Sequence, residues 1–82
     1  MNGRFFEEDE LVLKSVARRI KILRQEKGFS MDKLALEAEL SKNQVWRIEN
    51  HKQKTTIVTL NRIAIALDVP LKTLFEFDNK AF

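Results

Sequence analysis

Ser41-Lys42-Asn43-Gln44-Val45-Trp46-Arg47-Ile48-Glu49-Asn50 is the stretch whose side chains packing alone does not explain. Asn and Gln each pair a donor with an acceptor and can bond bidentately to adenine, while Arg and Lys can do the same to guanine. This is chemistry for reading base edges and holding phosphates, not for making or breaking bonds. Elsewhere no nucleophile stands with a base, no carboxylates pair in a plausible pocket, and no Gly-rich loop is suited to cradling a phosphate. The chain has no Cys and one His, His51, so disulfides and Cys-based zinc sites are excluded and no metal or other cofactor is expected. The residues describe a binder, not an enzyme.

A helix is the element that presents these groups. Ser41 and Gln44 form an S-x-x-Q capping box, in which each side chain satisfies a backbone donor at the other's position. At about 100° per residue, Val45 and Ile48 share one side, joined by Leu40 just before the cap. That side must face a core, which turns Asn43, Trp46, Arg47 and Asn50 outward with Lys42 and Gln44 on the flanks. An ordinary amphipathic surface helix would also be polar outside, but with more Glu and Lys pairs and no outward Trp.

At 82 residues the chain is expected to form one domain, residues 1–82, with a loose lead-in over 1–6 and a tail over 76–82. The four acids from Glu7 to Glu10 suit the positive N-terminal end of a long first helix running to Lys27. Its apolar positions Val12 or Leu13, Val16, Ala17, Ile20 and Leu23 recur at three- and four-residue spacing. Gly28 stops it, and Ser30 caps a second helix from Met31 to Ala38. Glu39-Leu40 then makes the turn into Ser41, with position 39 in need of a left-handed backbone. After the third helix His51 is read as a C-cap residue. Thr56 caps a fourth helix over 57–67, with Ile57, Leu60, Ile63, Ala64 and Leu67 as its core face. Pro70, suited to a first helical position, opens a short fifth helix containing Leu71, Leu74 and Phe75. Phe5 and Phe6 are expected to fold back on the domain or on a second subunit.

The formal net charge is +3, distributed as −3 over residues 1–10, +3 over 11–40, +4 over 41–62 and −1 over 63–82. Positive charge peaks at the third helix and the loop after it, where neutralised phosphates would release counterions. A basic face that only keeps the protein soluble has the same signature. No apolar run is long enough to span a membrane and the acidic N-terminus is unlike a secretory signal, so a cytoplasmic location is expected.

These pieces together resemble the Cro/cI-type helix-turn-helix domain of the Xre family, the fold of phage repressors, restriction-modification controllers and many antitoxins. The resemblance covers about Val16 to Phe75. It is carried by Ile20-Lys21-Ile22-Leu23-Arg24 through Gly28-Phe29-Ser30, Leu34-Ala35, Leu40-Ser41, Val45-Trp46-Arg47-Ile48-Glu49 and Thr59-Leu60-Asn61-Arg62-Ile63-Ala64-Ile65-Ala66-Leu67. It implies an all-α, five-helix repressor-like fold in which the third helix enters the major groove and the second lies across it. By position, Lys42, Asn43, Gln44, Trp46 and Arg47 become candidates for base contact, and Ser30, Asn50, Lys52 and Lys54 for phosphate contact. It further implies an ion pair between Arg24 and Glu49. The departures are Met31, where the family usually has a Gln that anchors a phosphate or first base pair; Glu39 and His51, where Gly is usual; and Thr55 for a common Pro. Trp46 either packs on a thymine methyl or sugar edge, or lies partly down against the core.

Val58 and Ile65, seven residues apart on the fourth helix, form a second apolar stripe away from its core face. With Phe75 and Phe77, and with Phe5 or Phe6, they are expected to build a homodimer interface, because so large a patch is costly to leave bare. The alternative is a tail folded over the stripe in a monomer. The expected function is a sequence-specific transcriptional regulator of double-stranded DNA on a pseudo-palindromic operator, with a restriction-modification controller fitting the size. The rival reading is an antitoxin or other protein-binding module with autoregulatory DNA binding. A toxin would then be the partner, and RNA polymerase would be one if the protein activates.

Overall fold

The computed structural model describes residues 3–77. Four α-helices follow one another, α1 (Phe6–Glu26), α2 (Met31–Ala38), α3 (Lys42–Glu49) and α4 (Ile57–Ala66), and a single 3-10 turn over Leu71–Phe75 closes the domain. Side-chain oxygens begin three of them. Ser30 accepts from the Lys33 amide and Thr56 from the Thr59 amide, at 3.0 and 3.2 Å. The Ser41–Gln44 capping box is complete, with both bonds present at 3.0 and 2.9 Å. α1 instead begins without a side-chain cap at Phe5, and Glu7, Glu8 and Asp9 face its positive end.

Each α-helix ends in the same way. A residue of positive φ (Gly28 at 78°, Glu39 at 57°, His51 at 45°, Asp68 at 59°) reverses the chain. Its amide and the next one then reach back to carbonyls of the last turn, as in Gly28 to Gln25 and Phe29 to Arg24, or Glu39 to Leu36 and Leu40 to Ala35. This paired bonding satisfies carbonyls that a helix end otherwise leaves open. The residue after the reversal is Phe29, Leu40 or Val69 in three cases, and all three pack against the core. In the fourth it is Lys52, which is exposed.

The core gathers Val16 and Ile20 of α1, Leu34, Ala35 and Ala38 of α2, Val45 and Ile48 of α3, and Leu60, Ile63, Ala64 and Leu67 from α4 and its cap. Leu74 of the 3-10 turn completes it and is fully buried. These are the positions the helical spacing puts inward, with Leu13 more buried than Val12.

Three expectations need correction. The fifth element is not an α-helix: Pro70 stands outside it with an extended ψ of 151°, and Thr73 donates to the Pro70 carbonyl in an i→i+3 bond. Five residues ending at Phe75 hold too few i→i−4 bonds to favour the wider helix, and the tight turn still drives Leu74 inward. Ile57 is 58% exposed because it occupies the first turn of α4 at the edge of its apolar stripe. Phe5 and Phe6 do not fold back on this chain; both are exposed at the start of α1, with the Arg4 guanidinium 5.1 Å from the Phe5 ring centre. Phe82 lies outside the described residues.

Left-handed backbone is costly for a residue with a Cβ and not for Gly. Glu39→Gly is therefore expected to raise stability to urea by about 1 kcal/mol, and Gly28→Ala to lower it by about the same amount. Equilibrium denaturation of the two variants checks both signs.

Candidate nucleic-acid interface

α3 is held from behind by two kinds of contact. Val45 and Ile48 enter the core, and Glu49, one residue on, has a side chain only 1% exposed. Its carboxylate accepts two bonds from Arg24 of α1, from Nε at 2.6 Å and from Nη2 at 3.0 Å. Arg24 Nη1 donates to the Phe29 carbonyl at 2.8 Å, in the turn that leads to the Ser30 cap. One guanidinium thus ties α1, the entry to α2 and the end of α3 together, and no buried side-chain polar atom among the described residues lacks a partner.

With that face fixed, Lys42, Asn43, Gln44, Trp46 and Arg47 are all exposed on the other side, as helical spacing predicts. Trp46 is 45% exposed, so part of its ring is open to solvent and part is covered. The structure also orients several of these side chains. Lys42 Nζ lies 3.6 Å from the Asp32 carboxylate of α2. Gln44 Oε1 is engaged in the capping box, so its NH₂ group alone is open to a ligand while the cap holds. Arg47 Nε donates to Gln53 Oε1 at 3.1 Å.

The residues expected to hold phosphate border the same surface. Ser30 Oγ accepts from Lys33 but keeps its own hydrogen to donate. Asn50 is partly buried, and its Nδ2 donates one hydrogen to the Trp46 carbonyl at 2.9 Å, leaving the second. Lys52 and Lys54 are exposed, and among the described residues no acid pairs with either. Met31, where a polar anchor is usual, is partly buried and packs against the core. Gln53 and Asp32 were not singled out by the sequence, since a Gln or Asp in a polar stretch carries no signal of what it will touch.

The residues expected to form a dimer interface are not gathered on one face. Val58 and Ile65 are 63% and 68% exposed on the outer side of α4. Phe75 borders a cleft of about 150 Å³ shared with Val12, Leu13, Val16, Ile48 and Leu60. Phe77 is partly buried against the core, where it lines a groove along α1.

The site is thus a two-helix unit with a three-residue turn, capped and braced so that its second helix shows amides and a guanidinium. A family profile described as a helix-turn-helix domain matches residues 17–77, most of the chain. The chain belongs to this helix-turn-helix family. Over 64 residues it is 34% identical to the HTH-type transcriptional regulator SutR of Escherichia coli K12, covering 78% of this chain and 36% of SutR. The chain thus spans little more than a third of that relative, at 36%. Among solved structures, the restriction-modification controller protein C.AhdI of Aeromonas hydrophila superposes with a TM-score of 0.76 at 30% identity, over 77% of this chain and 96% of that one. The N-terminal DNA binding domain of SinR from Bacillus subtilis gives 0.71 at 33% identity, over 79% and 96%. Among the described residues of this helix-turn-helix protein no acid or His cluster is arranged to hold a metal, and no helix is long and apolar enough to cross a membrane.

Removing one partner of the Arg24–Glu49 pair strands a buried charge. Arg24→Ala is expected to cost about 3–5 kcal/mol, and Arg24→Met with Glu49→Leu to recover most of it, because the apolar pair needs no desolvated ions. Urea denaturation of the single and double variants measures the difference.

Proposed function

We propose that this protein is a sequence-specific DNA-binding transcriptional regulator that acts as a homodimer on a pseudo-palindromic operator. The observation that carries the reading is the outward row of Asn43, Trp46 and Arg47 on a helix whose opposite side is locked to the core and to Arg24. A helix so anchored can lie in a major groove without changing shape, with bases read by amide and guanidinium groups and by apolar contact from Trp46. Lys42 and Gln44 complete the base-facing set. Ser30, Asn50, Lys52 and Lys54 hold the flanking backbone, assisted by the free amides at the start of α2. The likeness to C.AhdI, which extends over 96% of that protein, supports a restriction-modification controller as the specific role.

The homodimer reading rests on α4. Val58 and Ile65 leave two large apolar side chains exposed on its outer face, and a twofold partner would cover both copies at once. Phe75 and Phe77 lie against α1 instead and are no part of this face. Such a dimer sets two recognition helices about one DNA turn apart, roughly 34–36 Å. The toxin-binding alternative draws less support, since a surface for a protein groove has no need of an outward row of base-reading groups.

Selection from a random DNA pool at physiological salt, with the mass of the recovered complex, tests the proposal. An enriched palindrome carrying two chains is expected; salt-sensitive binding without enrichment would defeat it. On the selected site, Arg47→Ala is expected to lose about 1–3 kcal/mol and relax one base preference. Lys52→Ala is expected to weaken every sequence alike and to lower the salt slope by about 1. Ile65→Glu is expected to leave a folded monomer that binds half-sites only, which sedimentation and titration would reveal.

A further inference from the structure

The loop after α3 carries two lysines that pair with no acid among the described residues and, between them, a glutamine with a definite task. Gln53 Oε1 accepts from Arg47 Nε at 3.1 Å, across the chain reversal at the end of the recognition helix. We propose that Gln53 is a positioning residue for base readout, holding the Arg47 guanidinium in the plane in which it meets a base edge. The inference rests on the DNA-binding reading above and adds to it a specificity residue that need not touch DNA.

Three features of the geometry support this assignment. First, the bond uses the right nitrogen. Arginine has five N–H donors, and engaging Nε from behind leaves the four hydrogens of Nη1 and Nη2, the end-on fork that pairs with guanine O6 and N7. Second, Gln53 is itself anchored. It is partly buried and lines the apolar cleft with Leu13, Ile48, Leu60 and Phe75, which restricts its side chain more than full exposure on the loop would. The reversal that returns it to the level of Arg47 is made by His51 at φ 45° and by the Lys52 amide, which donates to the Arg47 carbonyl at 2.8 Å. Third, the acceptor is neutral. A carboxylate in this place would hold Arg47 as well but would offset its charge beside a polyanion, whereas an amide organises the guanidinium and leaves its full charge for DNA.

An exposed arginine otherwise samples many rotamers, all of which must be given up on reading one base. Pre-orientation lowers that cost for the base matching the fixed fork and does nothing for a mismatched one, so it acts on discrimination.

The experiment measures binding of the full chain to its selected site and to every single-base variant of that site, over a range of salt. The proteins compared are the unaltered chain, Gln53→Ala, Gln53→Glu, Arg47→Ala and the Arg47→Ala/Gln53→Ala double variant. Gln53→Ala is expected to reduce discrimination roughly 3- to 10-fold at the base pair whose preference Arg47→Ala also relaxes, and nowhere else. The salt slope should stay unchanged, because no phosphate contact is lost. Gln53→Glu, which keeps the acceptor, should restore discrimination while lowering affinity for all sequences. In the Arg47→Ala background, Gln53→Ala should have no further effect. Unchanged discrimination in Gln53→Ala, or an equal loss at every base pair, would overturn the proposal while leaving the DNA reading in place. Failure of the unaltered chain to select any sequence would instead overturn the DNA reading, and this inference with it.

Discussion

The bond between Arg24 and Glu49 is the constraint on which the rest of the fold turns. The domain is small, and α3 offers its core only Val45 and Ile48 as buried apolar residues. The ion pair adds a third attachment. Because the guanidinium also holds the Phe29 carbonyl, the same group sets where α2 begins. Burying two charges adds little net stability compared with apolar residues of the same volume. Its contribution is direction, since a bidentate pair tolerates one orientation of α3 and an apolar contact tolerates several.

The helices are short, and their stability depends on tertiary packing and on their ends more than on propensity. The repeated terminal motif explains how four helices turn back on one core through connections of only a few residues. Three of its four reversals use Glu39, His51 and Asp68 in place of Gly, so the backbone carries strain at the turn between α2 and α3 and on both sides of α4. At Glu39 and Asp68, burial of the next side chain offsets that strain. Leu40 and Val69 are partly buried against the core, and Phe29 is placed the same way after the unstrained Gly28. Lys52 takes the equivalent place after α3, where an inward residue would have removed a cation from the surface beside that helix.

Much of this was legible in the residues. Capping by Ser30, Ser41 and Thr56, the inward positions of α1 to α4 apart from Ile57, and the positive φ at position 39 follow from spacing, hydrogen bonding and the geometry of a tight helix-turn-helix unit, and the structure agrees with them. The pairing of Arg24 with Glu49 came from family resemblance, because nothing local links residues 25 positions apart. Contacts made by side chains across a turn were not legible at all. Gln53 reaches Arg47, and Asp32 approaches Lys42, only because the turns have particular angles. The errors have the same origin. Ile57 fits the apolar period of α4 but stands in its first turn, where it is left exposed, and Pro70 is compatible with a helix that five residues are too few to form.

α1 is much longer than the core that holds it. Its 21 residues extend about 32 Å, while the whole domain measures 37 Å along its longest axis and 24 and 19 Å along the others. Nothing before Val16 is fully buried, so the first turns of this helix are held mainly by their own backbone bonds. Amide exchange should therefore follow a gradient along one continuous helix, from fraying near Phe6 to global opening near Ile20. The shape has a further consequence in solution. A rod projecting from a rounded body tumbles anisotropically, so nuclear relaxation would distinguish amides of α1 from those of α3 by bond direction alone, before any difference in internal motion is considered.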